Sequence, residues 1–228
     1  MKKFVFCALC ALAILAIVGC KGRNYKSQVM LGNEPTNYYH WTWTAQDAPW
    51  GICDKDGNTI IPRVYPKSVA YYGDYFIADS LTKQVLYSVD GKRLYEADKI
   101  ERSGFKYFVI GVNNGKQSVF DLRTGKTVDG FDQMQVFACG GEVFYLVTVA
   151  EKKGVTDTQG NIVIGPRYDE VIAITDIIKG KKSGFFLCCN SGLWEKRDLA
   201  GKQTGKPTAK QVAAEKKKTA NSRTVQEF

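Results

Sequence analysis

Few residues of this sequence could carry out chemistry, and their spacing singles out no reaction. The sequence has one histidine, His40, on which any Ser-His-Asp or Cys-His site would depend. It lies in the run Tyr38-Tyr39-His40-Trp41-Thr42-Trp43, which is more typical of a strand than of an active site. We therefore predict no catalytic residues and no enzymatic activity. The alternative is a carbohydrate-active enzyme whose carboxylate pair comes from acids that follow predicted turns, namely Asp129, Asp132, Asp169 and Glu170.

A metal site is the second kind of chemistry to consider. The segment Asp54-Lys55-Asp56-Gly57-Asn58 resembles the opening of a calcium loop, but the last ligand position of such a loop holds Tyr65 instead of a glutamate. An Asp-Gly pair here is typical of a hairpin turn, because glycine tolerates a positive φ. The single histidine, and the lack of a Cys-x-x-Cys motif beyond the predicted signal segment, argue against structural zinc. We predict no metal and no cofactor.

Aromatic side chains offer a candidate binding surface. They make up 12% of the sequence, and several of them cluster in two segments. Such side chains could stack on sugars or anchor a peptide, and filling the space between sheets is the alternative. The candidate binding residues are Tyr38, Trp41, Trp43, Tyr71 and Tyr72.

A repeat in the sequence indicates the elements that position these residues. About every 34 residues, an apolar stretch runs into an Asp-x-x-Gly turn and a second stretch leaves it. Between the turns, short runs rich in β-branched and aromatic residues predict strands. The turn glycines are Gly57, Gly91, Gly125, Gly160 and Gly201.

Each repeat predicts four short antiparallel strands. In the fourth repeat we expect a strand over 144–149, one running into the turn at Asp157, one over 161–164, and an outer stretch over 171–174. Continuous apolar runs indicate strands covered on both faces, so neighbouring sheets must pack together. We predict an all-β fold of about five four-stranded antiparallel units over residues 37–207. A β-propeller-like arrangement is expected, and an open twisted β-solenoid is the alternative.

The most complete repeats resemble a known family. Trp50-Gly51-x-x-Asp54-x-x-Gly57-x-x-Ile60-Ile61-Pro62-x-x-Tyr65 resembles the WG-repeat family of bacterial β-repeat proteins, and Lys153 to Val171 follows this pattern with Lys153 in the tryptophan position. The other three repeats lack the Trp-Gly pair and the Pro-x-x-Tyr ending. The resemblance implies exported or cell-surface proteins without established catalytic residues. It implies structural roles for the repeat residues Trp50, Gly51, Asp54, Gly57, Asp157 and Gly160.

The first twenty residues predict a cellular location. Met1-Lys2-Lys3 and the apolar run over 4–18 are typical of a secretion signal. Ile17-Val18-Gly19-Cys20 resembles the lipobox of bacterial lipoproteins, which implies cleavage after Gly19 and acylation of Cys20. An ordinary signal peptide or an uncleaved anchor is the alternative. We predict a helical signal segment over 1–19 and a tether over 20–36. Lys21 favours the outer membrane by analogy with enteric bacteria, so we expect lipid anchoring in the bacterial cell envelope.

Positive charge is concentrated near the C-terminus. The formal net charge is +9, and lysines and arginines outnumber acids from residue 202 onward. With few large apolar residues, this composition predicts a basic flexible tail over 208–228, in which a short helix near Ala213 could form. Because we expect export, we predict no nucleic-acid partner.

Four cysteines lie beyond the signal and the anchor: Cys53, Cys139, Cys188 and Cys189. An exported compartment permits disulfides, and buried free thiols are the other interpretation. The adjacent Cys188 and Cys189 would point to opposite sides of a strand.

Together these features predict a lipid-anchored β-repeat protein that acts as a non-catalytic binding or scaffold module. Its expected partners are the membrane, through the anchor, and an envelope protein or glycan. The alternatives are an envelope carbohydrate-active enzyme and a lectin-like glycan binder.

Overall fold

The computed structural model describes residues 25–42, 49–218 and 223–228. The predicted signal segment, the lipidation site Cys20 and the candidate binding residue Trp43 lie outside these residues. The chain divides into two compact units, one up to Arg93 and one from Leu94 onward.

The strands of the first unit form antiparallel sheets. Their bounds are β1 (Tyr25–Leu31), β2 (Glu34–Thr42), β3 (Trp50–Asp54), β4 (Thr59–Tyr65), β5 (Ala70–Tyr71), β6 (Tyr75–Asp79), β7 (Gln84–Ser88) and β8 (Arg93–Ala97). Sheet 1 has the strand order β1-β2-β3-β4, and sheet 2 has the order β5-β6-β7-β8. β8 begins at the last residue of this unit and continues into the next.

The second unit contains three further sheets and one short helix. Their bounds are β9 (Lys99–Arg102), β10 (Phe108–Asn113), β11 (Lys116–Asp121), β12 (Thr127–Phe131), β13 (Gln133–Cys139), β14 (Glu142–Val149), β15 (Lys152–Asp157), β16 (Ile162–Tyr168), β17 (Glu170–Ile178), β18 (Lys181–Asn190), β19 (Leu193–Arg197), β20 (Gln203–Gly205), α1 (Ala209–Lys217) and β21 (Arg223–Glu227). Sheet 3 is β12-β11-β10-β9, sheet 4 is β13-β14-β15-β16, and sheet 5 is β20-β19-β18-β17-β21.

Each unit buries apolar side chains between its own sheets. In the first unit one cluster joins Ile52 and Ile61 of sheet 1 to Phe76 of sheet 2. In the second unit a larger cluster joins Phe144 of sheet 4 to Phe186 of sheet 5, with ring centroids 5.4 Å apart at nearly a right angle. Such edge-to-face contacts are a favourable arrangement of aromatic rings.

The continuous apolar runs of the sequence are strands covered on both faces. β14 buries four successive residues, Phe144 to Val147, and β6 buries Tyr75 to Ala78. One exposed face would instead give alternating burial. The predicted all-β fold of about five four-stranded antiparallel units is confirmed. A propeller and an open solenoid are both built from sheets of this kind.

The boundaries between the four-stranded repeats differ from the prediction by one strand. The stretch 171–174, expected as the outer strand of the fourth repeat, lies in β17 and pairs with β18 of the next sheet. Sheet 4 instead begins with β13, which pairs with β14 along its whole length. The apolar run at 171–174 finds an equally apolar partner in β18, whereas β13 carries polar residues such as Gln133 and Gln135 that conceal it in the sequence.

The C-terminal residues are more structured than the predicted flexible tail. Thr208 and Gln211 form a capping box at the start of α1, and Val212 of this helix is buried. β21 then pairs with β17, and the Phe228 ring lies 4.9 Å from that of Phe137. A few apolar contacts and ion pairs thus suffice to fix a basic segment on a sheet edge. No helix in the described ranges is long and apolar enough to cross a bilayer.

The predicted tether also contains regular structure. β1 occupies residues 25–31, pairs with β2, and buries Val29. The sheet therefore begins before residue 37. The polar run Lys26-Ser27-Gln28 precedes Val29, so β1 lacks the continuous apolar run that marks other strands in the sequence.

Candidate functional site

The glycine of the repeat motif marks a close approach between two strands. A Cβ atom added at Gly51 would lie 2.6 Å from the carbonyl oxygen of Ile61, and one at Gly154 would lie 2.5 Å from that of Ile164. Both obstacles are backbone atoms, which cannot move aside as the end of a side chain can. Since neither glycine has a positive φ, the motif requires glycine at this position for space.

Opposite this glycine, the last strand of the sheet bulges. In sheet 1 the register pairs Trp50 with Tyr65 and Ile52 with Ile61, so one residue of β3 faces three residues of β4. Sheet 4 repeats this register. The bulge of sheet 1 contains Pro62, which is tolerated because a bulged residue leaves the hydrogen-bond ladder. The glycine and the Pro-x-x-Tyr ending are therefore two halves of one structural feature.

The aspartate of the motif holds the turn that follows it. Asp54 accepts hydrogen bonds from the backbone N–H and the side-chain amide of Asn58, both at 2.8 Å. Hydrogen bonding from Asn58 lowers the pKa of the Asp54 carboxyl. Asp157 makes the same contacts with Asn161, at 2.9 and 2.8 Å. The carboxylates are engaged within their turns, which favours the turn interpretation over a calcium loop.

Acidic and metal-binding side chains are dispersed in the described structure. Within residues 25–42, 49–218 and 223–228, no three side chains of His, Cys, Asp or Glu lie close enough together to hold a metal ion.

The tyrosine that ends the motif connects its sheet to the next one. In the first unit Tyr65 and Tyr87 share a hydrogen bond between buried hydroxyls. Burial, followed by this bond, raises the pKa of Tyr65. In the second unit the Tyr168 hydroxyl donates to Glu195 Oε2 at 2.7 Å and accepts from Arg197 Nε at 3.1 Å. Each partner lies on the third strand of the following sheet. Sequence reasoning missed this role, although the repeated tyrosine after the proline was a signal for it.

Sheet 3 breaks this pattern. The register places Phe131 opposite Gln117, at the position of the motif tyrosine, and a phenyl ring carries no hydroxyl. Tyr87 and Arg197, the partners of the motif tyrosine, each lie just before the turn on the third strand of the following sheet. In sheet 4, which follows sheet 3, this position holds Thr156, immediately before the turn aspartate. Thr156 is fully buried, and its hydroxyl has no hydrogen-bond partner among the described residues.

The candidate binding aromatics do not form one exposed face. The rings of Tyr38 and Tyr71 pack against Phe76 of the core, with centroid distances of 5.0 and 4.7 Å. Tyr72 stacks on the buried Tyr75 at 5.3 Å and remains 39% exposed. Tyr38 and Tyr71 thus help to fill the first unit, as the alternative interpretation anticipated.

Trp41 belongs to the bulge of sheet 1. Its half-buried ring lies 4.6 Å below the guanidinium carbon of Arg63, and its Nε1 lies 2.5 Å from where a Cβ at Gly51 would be. The missing side chain of Gly51 therefore makes room for Trp41. Of the described candidates, Tyr72 is the one with an exposed side chain.

His40 is engaged by the backbone. Its Nε2 lies 2.7 Å from the carbonyl oxygen of Val69, which can only accept, so the ring donates this hydrogen bond. The imidazole also meets the Trp50 ring edge-on at 6.0 Å. These contacts favour a structural histidine that ties the end of sheet 1 to the following chain.

Two acids considered for a carboxylate pair hold hairpins instead. Asp132 accepts from the backbone N–H of Ala150 at 2.8 Å, and Asp169 accepts from that of Ser191 at 2.7 Å. Ala150 and Ser191 have positive φ values of 46° and 50°, so each aspartate supports a strained hairpin residue. The bond from Lys152 lowers the pKa of Asp169, whereas a general acid at neutral pH needs a raised pKa.

The other two acids lie apart from these hairpins. Glu170 accepts a hydrogen bond from the Lys216 ammonium of α1 at 2.7 Å. Asp129 is exposed on β12 and lines a cleft.

The four cysteines of the described chain are buried free thiols. Burial raises the pKa of Cys139 to about 11 and that of Cys188 to about 12. Both thiols are therefore protonated at neutral pH, which makes them poor nucleophiles.

The second unit has a polar cleft of about 430 Å³ beside sheet 3. Residues from β10, β11 and β12 line it, among them Asn113, Gln117, Ser118, Thr127 and Asp129, with Tyr95 of β8. Another cleft, of about 390 Å³, lies between β19 and the start of α1 beside Trp194 and Pro207.

Comparison with known proteins identifies the motif. A comparison with curated proteins gives no match. Residues 50–78 and 154–176 match the sequence model of a family described as WG containing repeat. The chain therefore carries WG-type repeats in these two regions, which begin in sheet 1 and in sheet 4.

Proposed function

We propose that this chain is a lipid-anchored β-repeat protein of the bacterial cell envelope that acts as a non-catalytic binding or scaffold module. The supporting observation is that residue types used in catalysis are engaged in holding the repeats. His40 donates to a backbone carbonyl, and Asp132 and Asp169 accept from hairpin N–H groups. The WG-type repeats support a repeat array, an architecture that commonly presents binding surfaces.

Partner capture tests the binding role. The intact protein would be crosslinked in its own envelope, purified, and analysed by mass spectrometry together with whatever remains attached. We expect a reproducible protein or glycan partner. Repeated capture of the folded protein alone would contradict a binding or scaffold role.

Globomycin tests the anchor, because it blocks cleavage of lipoprotein signals. We expect the treated cells to accumulate a larger precursor, and we expect Cys20→Ala to abolish acyl labelling. Unchanged mobility with globomycin would contradict lipidation at Cys20 and leave the binding role to the capture experiment.

A glycan binder is the second candidate, favoured by the polar cleft beside sheet 3. Catalytic turnover distinguishes a carbohydrate-active enzyme from such a binder. Hydrolysis of an envelope polysaccharide by the purified protein, abolished by Asp129→Asn, would contradict the non-catalytic part of the proposal.

A further inference from the structure

We propose that the polar cleft beside sheet 3 binds a neutral, polyhydroxylated ligand, namely a sugar unit of an envelope glycan. This inference rests on the proposed binding function and gives that function a site and a ligand class.

The cleft lies where sheet 3 departs from the repeat motif. At the glycine position β11 carries Ser118, and only Asp129 and Gly130 separate the next paired residues of β12. The corresponding bulge of sheet 4 has three residues, including Pro166. A Cβ atom added at Gly130 would meet no atom within 4 Å. The shorter bulge and its missing side chain therefore leave open space.

The floor of the cleft is fixed by hydrogen bonds. Ser118 donates to the carbonyl of Gly111 at 3.2 Å, so its hydroxyl oxygen accepts from the Tyr95 hydroxyl at 2.6 Å. The Tyr95 ring stacks on Phe120 at 5.2 Å. A side chain at Gly111 would collide with Tyr95, so the glycine makes room for this ring. Because the side chains of this floor are already ordered, the protein loses less conformational entropy when a ligand binds.

Two amide side chains on the wall are also held in place. Gln117 Oε1 accepts from the backbone N–H of Met134 at 2.7 Å, and Asn113 Oδ1 accepts from that of Asp98 at 3.1 Å. These bonds fix which end of each amide carries the N–H groups. Gln117 Nε2 has no protein partner among the described residues, so it can donate to a ligand.

The chemistry of the lining selects the ligand class. The charged lining residues are Lys116 and Asp129, and Lys116 also pairs with Asp132 at 3.7 Å, so the cleft has no excess positive charge to attract an anion. Amides, hydroxyls and a carboxylate supply both donors and acceptors, which match sugar hydroxyls that also do both. An apolar ligand would leave these groups unpaired at a cost in free energy. The volume of about 430 Å³ suits a small ligand such as a mono- or disaccharide.

Titration of the full-length, micelle-bound protein with sugars tests the site. The neutral probes are glucose, galactose, N-acetylglucosamine and chitobiose, with glucuronic acid as the anionic comparison, followed by NMR of the side-chain amides. We expect at least one neutral sugar to bind with a Kd of about 1 mM or lower and to shift the Gln117 and Asn113 amide signals. Asp129→Asn and Thr127→Val should each weaken binding by about tenfold.

Matched variants keep this test independent of folding. Gln117→Glu retains the acceptor for the Met134 N–H and removes the free donor, and it should also weaken binding. Asp56→Asn makes the same change as Asp129→Asn at an exposed turn of sheet 1 and should leave binding unchanged.

Three results would overturn the assignment: no binding of any neutral sugar up to about 10 mM, binding that all three cleft variants leave unchanged, or a preference for glucuronic acid. If a captured envelope partner persists while sugars fail, this inference falls and the proposed function stands. If partner capture also fails, both fall.

Discussion

Sheets 3 and 4 have the same strand topology, but the space around the bulge is filled in sheet 4 and open in sheet 3. Sheet 4 has Gly154 and Tyr168, so its last strand lies tightly against its neighbour and its tyrosine reaches sheet 5. Sheet 3 has Ser118 and Phe131 at these positions, and it has a polar cleft there. The difference indicates that the motif is a packing device, and that its loss leaves open space beside the sheet.

The largest expected effect comes from filling the space of the motif glycine. Gly154→Ala would place a Cβ atom 2.5 Å from the carbonyl oxygen of Ile164, and the backbone must shift to relieve this contact. We expect the free energy of unfolding to fall by about 3 kcal/mol, measured by denaturant titration. Gly165→Ala, one strand away with open space around its Cβ, is the control and should cost much less. Equal losses would contradict the packing role.

Removing the hydroxyl that joins sheets 4 and 5 should have the next largest effect. Tyr168→Phe leaves the buried ring in place and deletes the hydrogen bond to Glu195. We expect a loss of about 1–2 kcal/mol in the free energy of unfolding. Glu195→Ala removes the acceptor altogether, and if the double variant loses less stability than the sum of the two single variants, the coupling is direct. Additive losses would argue against it.

The unpartnered hydroxyl of Thr156 allows a stabilising change. Thr156→Val keeps the shape and removes a buried polar group without a partner, so the free energy of unfolding should rise by about 1 kcal/mol. Phe131→Tyr would restore the motif hydroxyl and should stabilise wild-type protein by less than about 1 kcal/mol. That gain should disappear in the Thr156→Val background. Destabilisation by Thr156→Val would show that the hydroxyl has a partner.

The smallest effect concerns pH. Burial acts to raise the pKa of Asp157, but hydrogen bonds from Asn161 and the turn backbone outweigh it, so the pKa is lowered on folding. A lowered pKa stabilises the fold above the unfolded value of about 3.9, and this contribution is lost as the pH falls through the folded pKa. Asp157→Asn should therefore differ most from wild type at neutral pH, and the difference should shrink as the pH falls below about 4. A constant difference across this range would contradict the linkage.

The fold could be predicted largely from local signals. The local signals are the Asp-x-x-Gly turns and the β-branched runs between them. Gly57 and Gly160 adopt the positive φ that these turns need, so each hairpin is specified within a few residues. Among the strands that escaped prediction, β1 and β13 have polar residues beside buried ones, so their stability depends on pairing partners that local composition does not contain.

The candidate site was much harder to predict. The aromatic residues are conspicuous in the sequence, yet Tyr38 and Tyr71 pack inward because the core of a small unit needs large rings. The polar cleft depends on Ser118 facing a bulge that is one residue shorter, a register effect visible only when strands are paired. Tyr95 reaches it from β8, outside the repeat that contains Ser118.

The most direct test of the account is photocrosslinking in the cell envelope from one position on each of the two contrasted sheets. A photoreactive residue would replace Thr127 beside the cleft of sheet 3, or the exposed Ile162 on the last strand of sheet 4. We predict a specific envelope adduct from position 127 and none from position 162. Adducts of equal yield from both positions, or from position 162 alone, would contradict the claim that sheet 3 binds while the motif of sheet 4 serves packing.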